Sequence, residues 1–161
     1  MQINVEAKPP ASAAYDTRKK RLVETIDRLY LRDAKGSLQK MISRIHPADM
    51  AAILDDLPPA HIVDVFYAIA DSAMAADVFN QLSPGLRTQV MTESPIEKLA
   101  GVLEHLPPDD LADLIGDLAL LGMPLKAHVM AARSGHQANA ELVKLIRKEY
   151  KKKLIRSKFK S

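Results

Sequence analysis

The chain reads as all-α: a right-handed superhelix of about ten short stacked helices, an armadillo-like solenoid. Three observations predict it. Leucine or isoleucine closes a short block at Leu57, Ile69, Leu82, Leu106 and Leu118, with Ser94 where another closing residue falls, at steps of 12 or 13 residues. A helix start follows nearly every close: Pro58-Pro59, Asp71-Ser72, Ser83-Pro84, Ser94-Pro95 and Pro107-Pro108. Inside the blocks the apolar residues recur at helical spacing, as in Met50, Ile53, Leu54, Leu57, then Ile62, Val65, Phe66, Ile69, then Leu111, Leu114, Ile115, Leu118. A helix of roughly ten residues is marginal alone in water. It must bury its apolar stripe on the helices before and after it.

Each element follows from local chemistry. Residues 1–16, with Pro9, Pro10 and no apolar run, read as a disordered leader. A superhelical domain is expected over 17–137 and a basic C-terminal helix and tail over 138–161. The first amphipathic helix spans about 17–33, with Leu22, Ile26, Leu29 and Tyr30 on one side, and Gly36 breaks it. A second runs from Ser37 to Ile45. The repeats occupy 46–118. Proline there presets φ and lacks the N–H that a first turn leaves unpaired. Serine before it is suited to capping, and Ser94-Pro95-Ile96-Glu97 fits a capping box. Gly122 and Pro124 interrupt the pattern, a short helix follows at 125–133, and a last one covers 138–156.

Charge is segregated along the 161 residues. Residues 1–44 carry +5, residues 45–118 carry −11 with only Arg87 and Lys98 as cations, and residues 141–161 carry +7. The repeat block is an anionic body between basic ends, so the overall net charge of +3 is a poor guide to partners. The chain has no cysteine, which excludes disulfides and thiolate sites and suits a reducing compartment. No stretch approaches the roughly 20 apolar residues that span a bilayer.

Grouped carboxylates are the residues with metal chemistry. Asp109, Asp110 and Asp113 open the helix after Pro107-Pro108, and Asp113 shares a face with both Asp109 and Asp117. Hard divalent cations take oxygen ligands, and Mg²⁺ often uses only one or two carboxylates. Helix-dipole stabilisation explains the same aspartates without a metal. Asp55-Asp56, late in its helix, reads as solvated surface. His46, before Pro47, suits a cap or turn, and none of the five histidines has zinc spacing. No nucleophile triad or phosphate loop is present, so the sequence offers an enzyme reading no support. The basic tail fits a solvated helix end, a contact with the anionic repeats, anionic lipid or nucleic acid, with nucleic acid the last choice of partner.

Two phrases carry a family likeness. Ile45-His46-Pro47-Ala48-Asp49 through Leu57-Pro58-Pro59, and Leu106-Pro107-Pro108-Asp109-Asp110-Leu111-Ala112-Asp113-Leu114, resemble the N-terminal cytosolic domain of MgtE-type magnesium transporters. Ala75-Ala76-Asp77-Val78 and Leu82-Ser83-Pro84 fit between them, so the likeness covers about 38–118. The His-Pro start is more distantly similar to the middle domain of the flagellar switch protein FliG. The resemblance implies a cytosolic regulatory domain in which Mg²⁺ bridges acids of the superhelix to a CBS module and shuts a pore. Carried over residue by residue, the metal-facing acids fall on Asp77 and Asp109, with Asp113 as a third. Each site would be weak and completed by the partner. The family's acidic approach to the CBS module is absent after Gly122, and a basic tail stands in its place. The alternative is a free-standing protein-interaction scaffold without a metal role, and homodimerisation is a further option.

Overall fold

The computed structural model describes residues 11–120 together with Gly122. Among them there is no strand, and eight helices follow in order. These are α1 (Ala11–Leu31), α2 (Lys35–Ile42), α3 (Pro47–Asp55) and α4 (Pro59–Tyr67), then α5 (Ser72–Gln81), α6 (Pro84–Glu93), α7 (Ile96–Leu103) and α8 (Pro108–Leu120). The described residues are all helical, consistent with the solenoid expected from the repeats. The helices expected at 125–133 and 138–156 lie outside the described residues.

Alternate helices pack on each other. α3 lies on α5 and α5 on α7, while α4 lies on α6, so the short helices form two rows. Every block-closing residue is buried: Leu57, Ile69, Leu82, Leu106, Leu118 and also Ser94. The stack thus removes from water side chains that a lone helix would have left exposed. Phe66 on α4 and Phe79 on α5 are fully buried and meet edge to face, with ring centroids 6.2 Å apart. Such pairs add about 0.5–1.5 kcal/mol beyond their area burial.

α1 closes the N-terminal end of the stack. It packs on α2, α3 and α4, with Ile26 wholly buried and Leu22, Val23 and Leu29 partly so. Polar ties run along its length. The Tyr15 hydroxyl donates to Asp49 (3.0 Å), Lys19 pairs with Asp56 (2.9 Å), and the Tyr30 hydroxyl donates to Asp64 (2.5 Å). His61 Nδ1 meets Asp27 at 2.6 Å, and its ring lies 4.8 Å from that of Tyr30. A terminal element of a solenoid needs this pairing of an apolar inner side with a polar outer one.

The helix starts divide by chemistry. Proline opens α3, α4, α6 and α8. His46 caps α3 as expected, its Nδ1 accepting from Ala48 N–H at 3.2 Å. Asp71 caps α5, accepting from Ala73 N–H (2.9 Å) and Met74 N–H (3.4 Å). The serines depart from expectation. Ser83 makes no cap bond and instead donates to Asp55 across the stack at 2.8 Å. The capping residue of α7 is Pro95, and the buried Ser94 donates back to the Val90 carbonyl of α6. A hydroxyl in the interior must find an acceptor, and the end of the preceding helix supplies one.

Two boundaries also shift. α1 begins at Ala11, so residues 11–16 are helical where a disordered leader was expected. The alanines at 11, 13 and 14 favour helix, and Tyr15 is anchored by Asp49. Gly36 lies within the first turn of α2 and does not form the break. The chain turns at Asp33, whose φ is +55°. Ala34 N–H reaches the Leu29 carbonyl and Asp33 N–H the Tyr30 carbonyl, both at 3.0 Å, which is a Schellman ending with an aspartate in the glycine position. Asp33 is exposed, and its contact with Lys35, at 3.9 Å, is solvent-screened on both sides. Glycine enters this conformation without the Cβ penalty. Asp33→Gly is therefore expected to stabilise the fold by roughly 0.5–1 kcal/mol, read as a higher urea midpoint with unchanged slope.

Candidate functional site

α5, α6 and α8 are tied at one corner by polar side chains. Asn80 near the end of α5 donates to Asp110 in the first turn of α8 at 3.3 Å. Arg87 on α6 donates through Nη2 to the Asn80 carbonyl at 2.7 Å, and its guanidinium carbon lies 5.9 Å from the centre of the Phe79 ring. A single side chain thus ties α5 to α6 beneath the acids. Asp110 is half-buried and held by Asn80, whereas Asp109 is exposed. Asp113 follows one turn after Asp109 and is also exposed, and Asp77 is exposed one turn before Asn80.

The three sequence-predicted acids therefore all face solvent, Asp77 from α5 and Asp109 and Asp113 from α8. Among the described residues no three acidic or histidine side chains converge as a group able to hold a metal. The donors present are carboxylate oxygens, the type that Mg²⁺ takes, so the chemistry fits and the ligand number does not reach a closed site. Asp55 and Asp56 do not form a ligand pair, because Ser83 engages the first and Lys19 the second.

Arg87 and Asp117 belong to this corner and were not singled out as site residues from sequence. Burial pushes the Asp117 carboxyl above the usual carboxylate range, the charge of Asp113 one turn earlier adds to the rise, and Arg87 opposes it. The signal available for Arg87 was its isolation, since it and Lys98 are the two cations in residues 45–118. Lys98 lies over the Tyr67 ring, 5.3 Å from its centre, on α7.

Comparison with known proteins gives two overlapping matches. Residues 45–120 match the family model described as the MgtE intracellular N domain, which covers α3 through α8. Residues 110–148 match the model described as UDP-3-O-acyl N-acetylglycosamine deacetylase. Among curated proteins, the chain is 60% identical over 38 residues to a bifunctional enzyme LpxC/FabZ of Chlorobaculum tepidum, covering 24% of this chain and 8% of that protein. It is 68% identical over 31 residues to a UDP-3-O-acyl-N-acetylglucosamine deacetylase of Solibacter usitatus, covering 19% and 10% respectively. A Porphyromonas gingivalis LpxC/FabZ enzyme is 32% identical over 93 residues, 55% of this chain and 20% of that protein. The chain thus spans between 8% and 20% of the length of these relatives. No solved structure matches it. The distant likeness to FliG receives no support from these matches. The second match was not foreseen. It begins inside α8 and continues past Gly122, over the stretch read from sequence as an interruption followed by two helices.

Among the described residues no helix is long and apolar enough to cross a membrane. The electrostatics of α8 lead to one prediction. A raised carboxyl value in the folded state means that ionisation costs stability, the cost growing as pH rises through the ordinary carboxylate range and staying in full above it. Asp117→Asn should raise the melting temperature at near-neutral pH, and the gain should vanish in acid below the ordinary value of about 3.9. Thermal melts of both forms across that range check the sign.

Proposed function

We propose that this chain is a cytosolic regulatory module of a magnesium transporter, in which Mg²⁺ bridges its acidic corner to a CBS module. The match of residues 45–120 to the MgtE intracellular N domain carries this reading. The exposed carboxylates of Asp77, Asp109 and Asp113 in a −11 block support it. Two anionic surfaces repel until divalent cations screen and bridge them, so their association reports the Mg²⁺ level. With one or two carboxylates contributed from this side and no closed ligand set, Mg²⁺ affinity is low until the partner surface adds its own oxygens. The same reading places the chain at the cytosolic face of the membrane, with any spanning part outside these residues.

The relatives' printed names describe a deacetylase and bifunctional LpxC/FabZ enzymes; the deacetylase family model matches residues 110–148, and the likeness to the Porphyromonas gingivalis enzyme runs over 93 residues. We propose that this stretch has no deacetylase activity of its own, because the matches cover between 8% and 20% of those proteins' length. Purified chain incubated with UDP-3-O-acyl-N-acetylglucosamine should release no acetate, and sustained turnover would overturn the non-enzymatic reading. For the regulatory reading, NMR shifts at Asp77, Asp109 and Asp113 should move with millimolar Mg²⁺ when a transporter's CBS module is supplied, and far less without it. Tight association with a partner that persists unchanged in EDTA, with no Mg²⁺ shift at these residues, would favour the metal-free scaffold.

A further inference from the structure

A second surface of opposite sign lies at the other end of the stack. α1, α2 and the start of α3 enclose an open cleft of about 600 Å³. Its apolar lining comes from Leu22 on α1, Met41 on α2, Ile45 in the turn and Ile53 on α3. Its cations come from two helices and the turn after them: Arg18 and Lys19 on α1, Lys40 on α2 and Arg44 just beyond it. Lys19 is engaged by Asp56 (2.9 Å), and Asp49 by the Tyr15 hydroxyl (3.0 Å). Among the described residues no carboxylate lies within ion-pair distance of Arg18, Lys40 or Arg44. The mouth also carries Tyr15, which is 47% exposed.

An apolar cleft with uncompensated cations selects a ligand that is apolar on one side and anionic on its flanks. The cations are divided between two elements and do not converge at one end, which suits a rod with carboxylates along its sides better than a single headgroup. A second copy of the chain is a poor occupant. Its exposed large apolar residues, among those described, are Tyr15 and Leu31, and Tyr15 belongs to the cleft itself. We propose that the cleft is a docking groove for an acidic amphipathic helix of a partner protein, held by helix-in-groove burial of its apolar residues and by Arg18, Lys40 and Arg44 at its flanks. Most of the lining precedes or borders the start of the family match at residue 45, so the groove is independent of the Mg²⁺ reading.

The test uses the full chain and a phage-displayed pool of helical peptides of about four turns, with leucine at every third or fourth position and randomised flanks. The expected result is enrichment of peptides with Asp and Glu on the flanks. Their binding should survive EDTA, weaken with salt, and fall at least about tenfold in Lys40→Glu/Arg44→Glu, an energy near 1.4 kcal/mol. Both positions are exposed, so circular dichroism of the variant should be unchanged, and Arg18→Glu provides an independent second variant. Equal enrichment on the double variant, or enrichment without an acidic pattern, would overturn the proposal. Sedimentation with phosphatidylglycerol vesicles without acidic-peptide binding would assign the groove to a lipid surface and equally overturn it. So would concentration-dependent self-association abolished by the double variant.

Discussion

Everything in this fold depends on helices too short to persist alone. α2 to α7 have between 8 and 10 residues each, below the length at which an isolated helix holds in water. Their stability is borrowed from the row above and the row below. The side chain that closes each block therefore matters, because the stack buries it. Ser94 tests that logic. A hydroxyl occupies a position that leucine or isoleucine holds elsewhere, and the fold accommodates it by bonding it to the Val90 carbonyl. The stack tolerates a polar group there because the Val90 carbonyl at the end of α6, which also accepts the Ser94 backbone N–H, lies within reach of the hydroxyl.

The same constraint sets what the surface can do. With apolar side chains committed inward, the outer faces are free to carry charge, and the sequence uses them unevenly. Arg87 shows how an anionic surface is kept from destabilising its own scaffold. It hydrogen-bonds the Asn80 carbonyl, lies near the Phe79 ring, and opposes the charge of Asp117. One buried-side cation thus serves packing between α5 and α6 and electrostatic relief for α8. Asp77 and Asp109 are exposed.

Much of this was legible in the sequence. The period of 12 or 13 residues, the proline starts and the apolar spacing point to stacked short helices, and the structure buries the residues they select. His46 as a cap was equally readable, since its role involves only the next two residues. What was not legible depends on distant neighbours. Ser83 turns away from its own helix because Asp55, 28 residues earlier, lies beside it. The turn at Asp33 was assigned to Gly36 because glycine is the commoner left-handed residue, and nothing local marks aspartate as its substitute. Arg87 looked like a stray cation until α5, α6 and α8 were brought together. The N-terminal cleft needs α1 laid over α2 and α3, and an expected helix starting only at residue 17 omitted Tyr15 from its mouth.

The contrast between the basic residues of α1 and α2 and the acidic repeats acquires a physical sense once those helices are placed. An acidic corner and a basic cleft on one rigid stack respond to ions in different ways. On the proposed reading, divalent cations would lower the repulsion between the α8 carboxylates and another anionic surface, whereas added salt would only screen the cleft. On that reading the two surfaces would respond differently to the same change in ionic conditions. A stack of two rows also fixes the distance between them, because α1 is tied by Asp49, Asp56 and Asp64 to the helices that lead to the acidic corner. A solenoid whose repeats pack this closely transmits position rather than shape change. A partner held at the N-terminal end would be presented at a constant offset from whatever docks on α5 and α8, and that constancy, more than any chemistry of individual side chains, is what a rack of short helices provides.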